Sequence, residues 1–250
     1  MKALAELDVE PGQRIRWRTR PPVVVRRTGP ARVHLVQAAG GPLGGDELEL
    51  RLRLAEGTEL TVGSAGATVA QPSRSDDAGP ARWTVTAELA EGARLRWWPE
   101  PTVVCDRARL HTEFRLAVAE GAAALVREEV RLGRYGQAGG AYRGALTADH
   151  AGAPLLRHTT VLDGADPALT GPGGTSGARH VVTVLGVGAV TGPAGDTPAS
   201  GERPGLRWAC HRLAGPGWLL VGIGADGAAL AEVAYRFTPE VALLGQPAGG

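Results

Sequence analysis

One short run recurs along this chain and sets the terms for its fold. Ala55-Glu56-Gly57-Thr58-Glu59-Leu60, Ala90-Glu91-Gly92-Ala93-Arg94-Leu95 and Ala119-Glu120-Gly121 (leading to Leu125) each follow a stretch of alternating apolar and polar residues. The clearest such stretch is Glu47-Leu48-Glu49-Leu50-Arg51-Leu52-Arg53-Leu54, whose period of two places every leucine on one face of a half-buried strand. Weaker alternation marks Trp83, Val85, Ala87 and Leu89, and again Phe114, Leu116 and Val118. Glycine supplies the positive φ of a tight reversal, and a new strand starts just after it. A looser copy is Val9-Glu10-Pro11-Gly12-Gln13-Arg14-Ile15. A unit of strand, acidic-Gly turn and strand, repeated at tens of residues, predicts stacked β-layers or a solenoid-like sheet.

Loops and two short helices complete the outline. Gln71–Arg82, Thr170–Ala178 and Thr191–Gly205 are rich in Gly, Pro and polar residues, and the last reads as a long mobile loop. Arg179–Ala189 and Trp218–Gly224 read as buried strands. Asp166 before Pro167 is a helix start, and Asp226 caps a helix over Gly227–Phe237 with Leu230, Val233, Ala234 and Phe237 on one face. The fold class is all-β with minor helices, in a layered or helical β-sheet architecture. One domain over residues 1–250 is expected, with 246–250 a flexible tail.

Composition narrows the function. At 250 residues the chain can bury roughly 75% of its unfolded surface and needs no metal or disulfide to fold. Its 27 basic and 26 acidic residues are mixed along the chain, which argues against a nucleic-acid or membrane-surface role. Acidic residues near the N-terminus argue against a signal peptide, and no apolar run is long enough to span a bilayer, so a cytoplasmic location is expected. Cys105 and Cys210 are the only cysteines, far short of a disulfide framework.

No catalytic motif emerges. His34, His111, His150, His158, His180 and His211 show no metal-ligand spacing, and the adjacent Cys210 and His211 would point to opposite faces of a strand. Gly40–Asp46 is glycine-rich but lacks the Lys-Ser/Thr of a phosphate loop, and a strand follows where a helix would be required. No serine sits in a nucleophile elbow. Glu128 and Glu129 adjoin on a predicted strand, so one is expected in solvent and the other inside, with Arg127, Arg131 or Arg134 as its partner. Trp97-Trp98, Trp17 and Trp83 could instead form an aromatic platform, the alternative being a stand-alone glycan- or peptide-binding module.

Four ordered segments carry a family resemblance. They are Arg27–Leu35 leading into Gly40–Asp46, the small-residue strand Leu60–Val69, Trp98-Pro99-Glu100-Pro101-Thr102-Val103, and Arg127-Glu128-Glu129-Val130-Arg131-Leu132-Gly133-Arg134. Leu155–His158 and Leu213–Gly217 extend the match, which covers about residues 20–235. Together they resemble the UreD (UreH) family of urease accessory proteins, in its high-GC bacterial branch. The resemblance implies a non-enzymatic scaffold that binds UreF, through it the GTPase UreG, and docks on apo-urease to help deliver nickel through an internal tunnel. It carries over Asp46 as the foremost polar position of a metal transit path, with Thr68 and Glu128 behind it. No tightly bound cofactor is implied, only transient Ni2+. Nickel held by His and Cys clusters would leave slowly, so isolated carboxylates and hydroxyls suit a conduit better than a store.

Overall fold

The computed structural model describes residues 1–73, 75, 78–190 and 199–238. Strands dominate it. The chain opens with β1 (Lys2–Glu10) and β2 (Arg14–Arg18), then β3 (Val23–Gly29) and β4 (Arg32–Gln37). Three coils follow. Each runs through one sheet, turns a corner, and continues in a second sheet. The first comprises β5 (Glu47–Leu54), β6 (Glu59–Ser64) and the short β7 (Thr68–Ala70). The second comprises β8 (Ala81–Leu89), β9 (Arg94–Trp97) and β10 (Thr102–Val104). The third comprises β11 (Arg109–Val118) and an unbroken β12 (Ala123–Leu132).

The coils stack in parallel. In the first sheet β1, β5, β8, β11 and β13 (Ala141–His150) lie side by side in parallel register, with β2 and β14 (Ala153–Asp163) antiparallel on its two edges. In the second sheet β4, β6, β9 and β12 are parallel, while β7 and β10 pair beside the far end of β12. This is the solenoid-like arrangement that the repeated turns predict.

The Ala-Glu-Gly runs are its corners. Gly57, Gly92 and Gly121 hold φ of +64°, +67° and +71°, and the Gly57 N–H donates to Glu91 O at 3.0 Å, tying one corner to the next. A Cβ on Gly92 would lie 3.7 Å from the Gly57 Cα, so the corners stack directly on one another. The run at Pro11-Gly12 departs from the pattern. It closes an antiparallel hairpin between β1 and β2 within one sheet and is not a corner between two.

Between the sheets lies the core. Leu7, Leu50, Leu52, Val85 and Phe114 from the first sheet meet Val25, Val33, Val62, Leu95 and Val126 from the second, and Trp97 packs edge-on against Phe114 at 5.2 Å. Each such aliphatic side chain contributes about 2 kcal/mol on burial.

Beyond β12 the second sheet turns antiparallel. After α1 (Pro167–Thr170), capped by the Asp166 side chain, come β15 (His180–Val187), β16 (Ala199–Arg203), β17 (Leu206–Arg212) and β18 (Gly217–Gly224). The expected loop Thr191–Gly205 is therefore partly strand. Residues 199–203 hydrogen-bond to β17, a pairing that local composition does not encode. Helix α2 (Gly227–Arg236) starts at Asp226, whose carboxylate accepts from Ala228 N at 3.0 Å. Its Leu230, Val233 and Ala234 cover the outer face of β15, β17 and β18 around Val182, Val184, Cys210 and Leu220. The expected tail, 246–250, lies outside the described residues. No described helix is long and apolar enough to cross a membrane.

Candidate functional site

The second sheet is not a continuous wall. Between β6 and β7 the backbone leaves the sheet at Ala65-Gly66-Ala67, and between β9 and β10 it does so at Trp98-Pro99-Glu100-Pro101. The small-residue segment Leu60–Val69, expected as one strand, is thus two. Prolines cannot continue a ladder of hydrogen bonds, which explains the second gap. The two gaps lie level with each other in neighbouring coils, and Glu100 N donates to Ser64 Oγ across them at 2.9 Å.

Behind the gaps is a cavity of about 300 Å³ between the sheets. Trp83, Thr112, Phe114 and Tyr142 line it from the first sheet, and Trp97 and Glu128 from the second. Thr68 and Thr102 are partners in register, with Thr102 paired in turn to Val130, so both threonines share the face from which Glu128 projects. Opposite them, the Thr112 and Tyr142 hydroxyls are hydrogen-bonded at 2.8 Å. Ser64, Ala65, Gly66, Pro99 and Glu100 border the cavity where the wall is interrupted.

Glu128 is the chemically distinctive group. It makes no hydrogen bond or ion pair among the described residues, and its carboxyl opens onto the cavity. Burial alone raises its pKa to about 7. Burial and the neighbouring Glu128 charge push the Tyr142 phenol up as well, so it stays a neutral donor and acceptor near pH 7.

Glu129 points the other way, towards α2. It is 5% exposed and ion-paired with Arg127, itself 7% exposed. The expectation of one solvated and one interior carboxylate holds in part: Glu129 is buried on the face of β12 turned towards α2, whereas Glu128 is partly exposed and faces the intersheet cavity, not the outer surface. Of the three arginines considered as its partner, Arg127 is the one that pairs. It also donates to Pro99 O at 3.2 Å and stacks on Trp98 at 5.2 Å. His180 Nδ1 approaches Glu129 Oε1 at 3.5 Å, and a Cβ on Gly227 would sit 2.9 Å from that nitrogen, so α2 begins hard against this cluster.

Of the residues singled out in the sequence, Thr68 and Glu128 meet at the cavity. Asp46 lies elsewhere. Its carboxylate, 9% exposed, accepts from Leu43 N at 2.9 Å and pairs with the Met1 ammonium at 2.6 Å, pinning the glycine-rich return loop beside the start of β1. Thr102, Thr112, Tyr142 and Arg127 were not among the sequence candidates for the site. Thr102 stands inside the Trp98–Val103 motif and offered a signal; Thr112 and Tyr142 are brought in by sheet register alone.

Other candidate chemistry is dispersed. Among the described residues no group of three or more His, Cys, Asp or Glu side chains is placed to hold a metal ion. Burial pushes the Cys210 thiol up to about 11, and Cys105 and Cys210 are both free. Burial first, then the charges of Arg82, Arg143 and Arg109, lower the pKa of His111. The tryptophans form no shared platform. Trp97 is in the core, Trp98 packs outside it against Tyr235 at 5.7 Å, and Trp17 is on the edge strand β2.

Fold and site together define a two-walled, solenoid-like β-protein whose most distinctive polar feature is a partly open cavity between the walls. The family model for the UreD urease accessory protein matches residues 9–248, and this chain belongs to that family. It is similar to the urease accessory protein UreD of Frankia alni, 39% identical over 235 residues that cover 87% of this chain and 74% of that protein. It is also similar to UreD 3 of Streptomyces griseus (37% identical, covering 82% of this chain and 81% of that one). UreD 1 of Saccharopolyspora erythraea is 35% identical over 90% of each chain.

Proposed function

We propose that this chain is a non-enzymatic scaffold of urease maturation that binds UreF and, through it, UreG, docks on apo-urease, and lets nickel pass through its intersheet cavity. Family membership supports a role in urease maturation, with urease and other accessory proteins as the company it keeps. One observation supports the conduit: Glu128 presents an otherwise unpartnered carboxylate to a cavity that also holds the hydroxyls of Thr68 and Thr102. A lone carboxylate with hydroxyls and water gives Ni2+ a weak, exchangeable set of oxygen ligands. A thiolate or imidazole cluster would hold the ion as a store. Asp46 stands in this reading as a position that shapes the entry of the first coil and not as a cavity ligand.

The test is urease activation with purified partners, limiting nickel and GTP. Glu128→Gln should lower the nickel content and activity of the resulting urease about tenfold while the accessory complex still assembles. Activation equal to wild type would remove Glu128 from the path, and activation without this chain would remove the scaffold role itself.

A further inference from the structure

The lining of the intersheet cavity holds more than a metal path requires. The chain has only six Trp, three Tyr and two Phe in 250 residues. Two of those tryptophans, Trp83 and Trp97, line this one space together with Phe114 and Tyr142. A divalent metal ion is served by carboxylate and hydroxyl oxygens and water, and makes no use of ring faces. An organic cation is the reverse case. It holds its water weakly, and a ring within about 6 Å attracts it through the negative face of the π-system.

Charge on the lining points the same way. Among the described residues that line the cavity Arg127 is the one cation, and Glu129 and Pro99 O already engage it. Glu128 is left over. It stands where β12 lacks a neighbour in the preceding coil: β9 pairs with β12 as far as Val126, β10 pairs from Val130 onward, and the stretch between faces the break at Trp98–Pro101. Glu100, exposed at the mouth, adds a second negative charge at the entrance. Hydroxyl oxygens complete the set, since Thr68, Thr102 and the hydrogen-bonded Thr112–Tyr142 pair can all accept from N–H donors. At about 300 Å³ the space is at the lower limit of small-ligand pockets and excludes a bulky molecule.

We propose that the intersheet cavity binds a small organic cation, a primary ammonium group on a short alkyl chain, with Glu128 on the charge and the rings of Trp83, Trp97, Phe114 and Tyr142 around the alkyl part. The assignment stands on the lining of the cavity and not on the conduit reading, and its ligand competes with nickel for Glu128.

Titration of the purified chain with butylammonium chloride near pH 8, at ionic strength held constant with sodium chloride, tests it by tryptophan emission and calorimetry. Binding should saturate, and neutral 1-butanol should bind at least about tenfold more weakly. Glu128→Gln should weaken the cation about tenfold. Trp83→Leu should weaken it about fivefold, whereas Trp83→Phe, which keeps a ring, should stay within about twofold of wild type. No saturable response, or Glu128→Gln binding as tightly as wild type, would overturn the site. Butanol binding as tightly as the amine would reduce it to an apolar pocket and overturn it equally. The titration contains neither nickel nor urease, so its failure leaves the activation assay of the conduit reading untouched, and the reverse holds.

Discussion

The two walls of this solenoid are built from one repeating unit, and over the three coils they differ in continuity. In the first sheet β5, β8, β11 and β13 run without a break, side by side, and outward residues form ion pairs, along one strand for Arg51 with Glu49 at 2.7 Å and Arg115 with Glu113 at 2.6 Å, and between neighbouring strands for Arg53 with Asp8 at 3.4 Å. In the second sheet two of three coils leave the ladder for a few residues, at Ala65–Ala67 and Trp98–Pro101, and only β12 crosses whole. Polar side chains that an intact wall would exclude collect at that interruption. The first wall supplies rigidity. The second trades a little of it for an opening, and the strand behind the opening carries the unpaired Glu128 on one face and the Arg127–Glu129 pair on the other.

The sharpest way to break this contrast is through β12. Arg127→Ala leaves Glu129 buried without its cation and frees Pro99 O, and should lower stability by about 4 kcal/mol, read by chemical denaturation. A loss below about 1 kcal/mol would mean the interrupted wall does not depend on this pair. Next comes the intact wall. Leu50→Ala removes a fully buried side chain between β1 and β8 and should cost about 3 kcal/mol, with urease activation by the surviving folded protein retained. Loss of activation at full stability would contradict the division of labour between the walls.

The smallest effect depends on pH. Glu128 has a folded pKa of about 7, above the 4.5 of its free form, so folding favours the protonated carboxyl. Its contribution is complete below about pH 4.5, declines as pH rises towards and through 7, and is absent above. Glu128→Gln should therefore match wild type near pH 4 and be the more stable of the two at pH 9. Parallel stability curves for the two proteins between pH 4 and 9 would show that the cavity hydrates the carboxylate as well as bulk water does.

The corners and the first wall were legible in the sequence because both rest on local rules. Strict alternation fixes which residues of Glu47–Leu54 face inward, and glycine at positive φ fixes where the chain turns. Asp166 and Asp226 announced their helices for the same reason. The faces of β12 were not legible. Alternation separates Glu128 from Glu129, but whether a face meets solvent depends on what else packs there, and α2 arrives from about a hundred residues downstream. The breaks at Ala65–Ala67 and Trp98–Pro101 were similarly concealed, since small residues after β6 read as more strand until the neighbouring coil is in place.

The hairpins at the two margins of the first sheet have a consequence of their own. A coil grows by offering the next one a parallel template, and growth stops where the template reverses. Antiparallel β2, with Arg14, Arg16 and Arg18 exposed along it, closes one margin, and antiparallel β14 closes the other. Such reversal and charge discourage edge-to-edge pairing. The length of the stack is therefore written in its terminators. A duplicated coil could enter between them and extend the protein, whereas a chain stripped of either hairpin would expose a parallel seed for fibre growth.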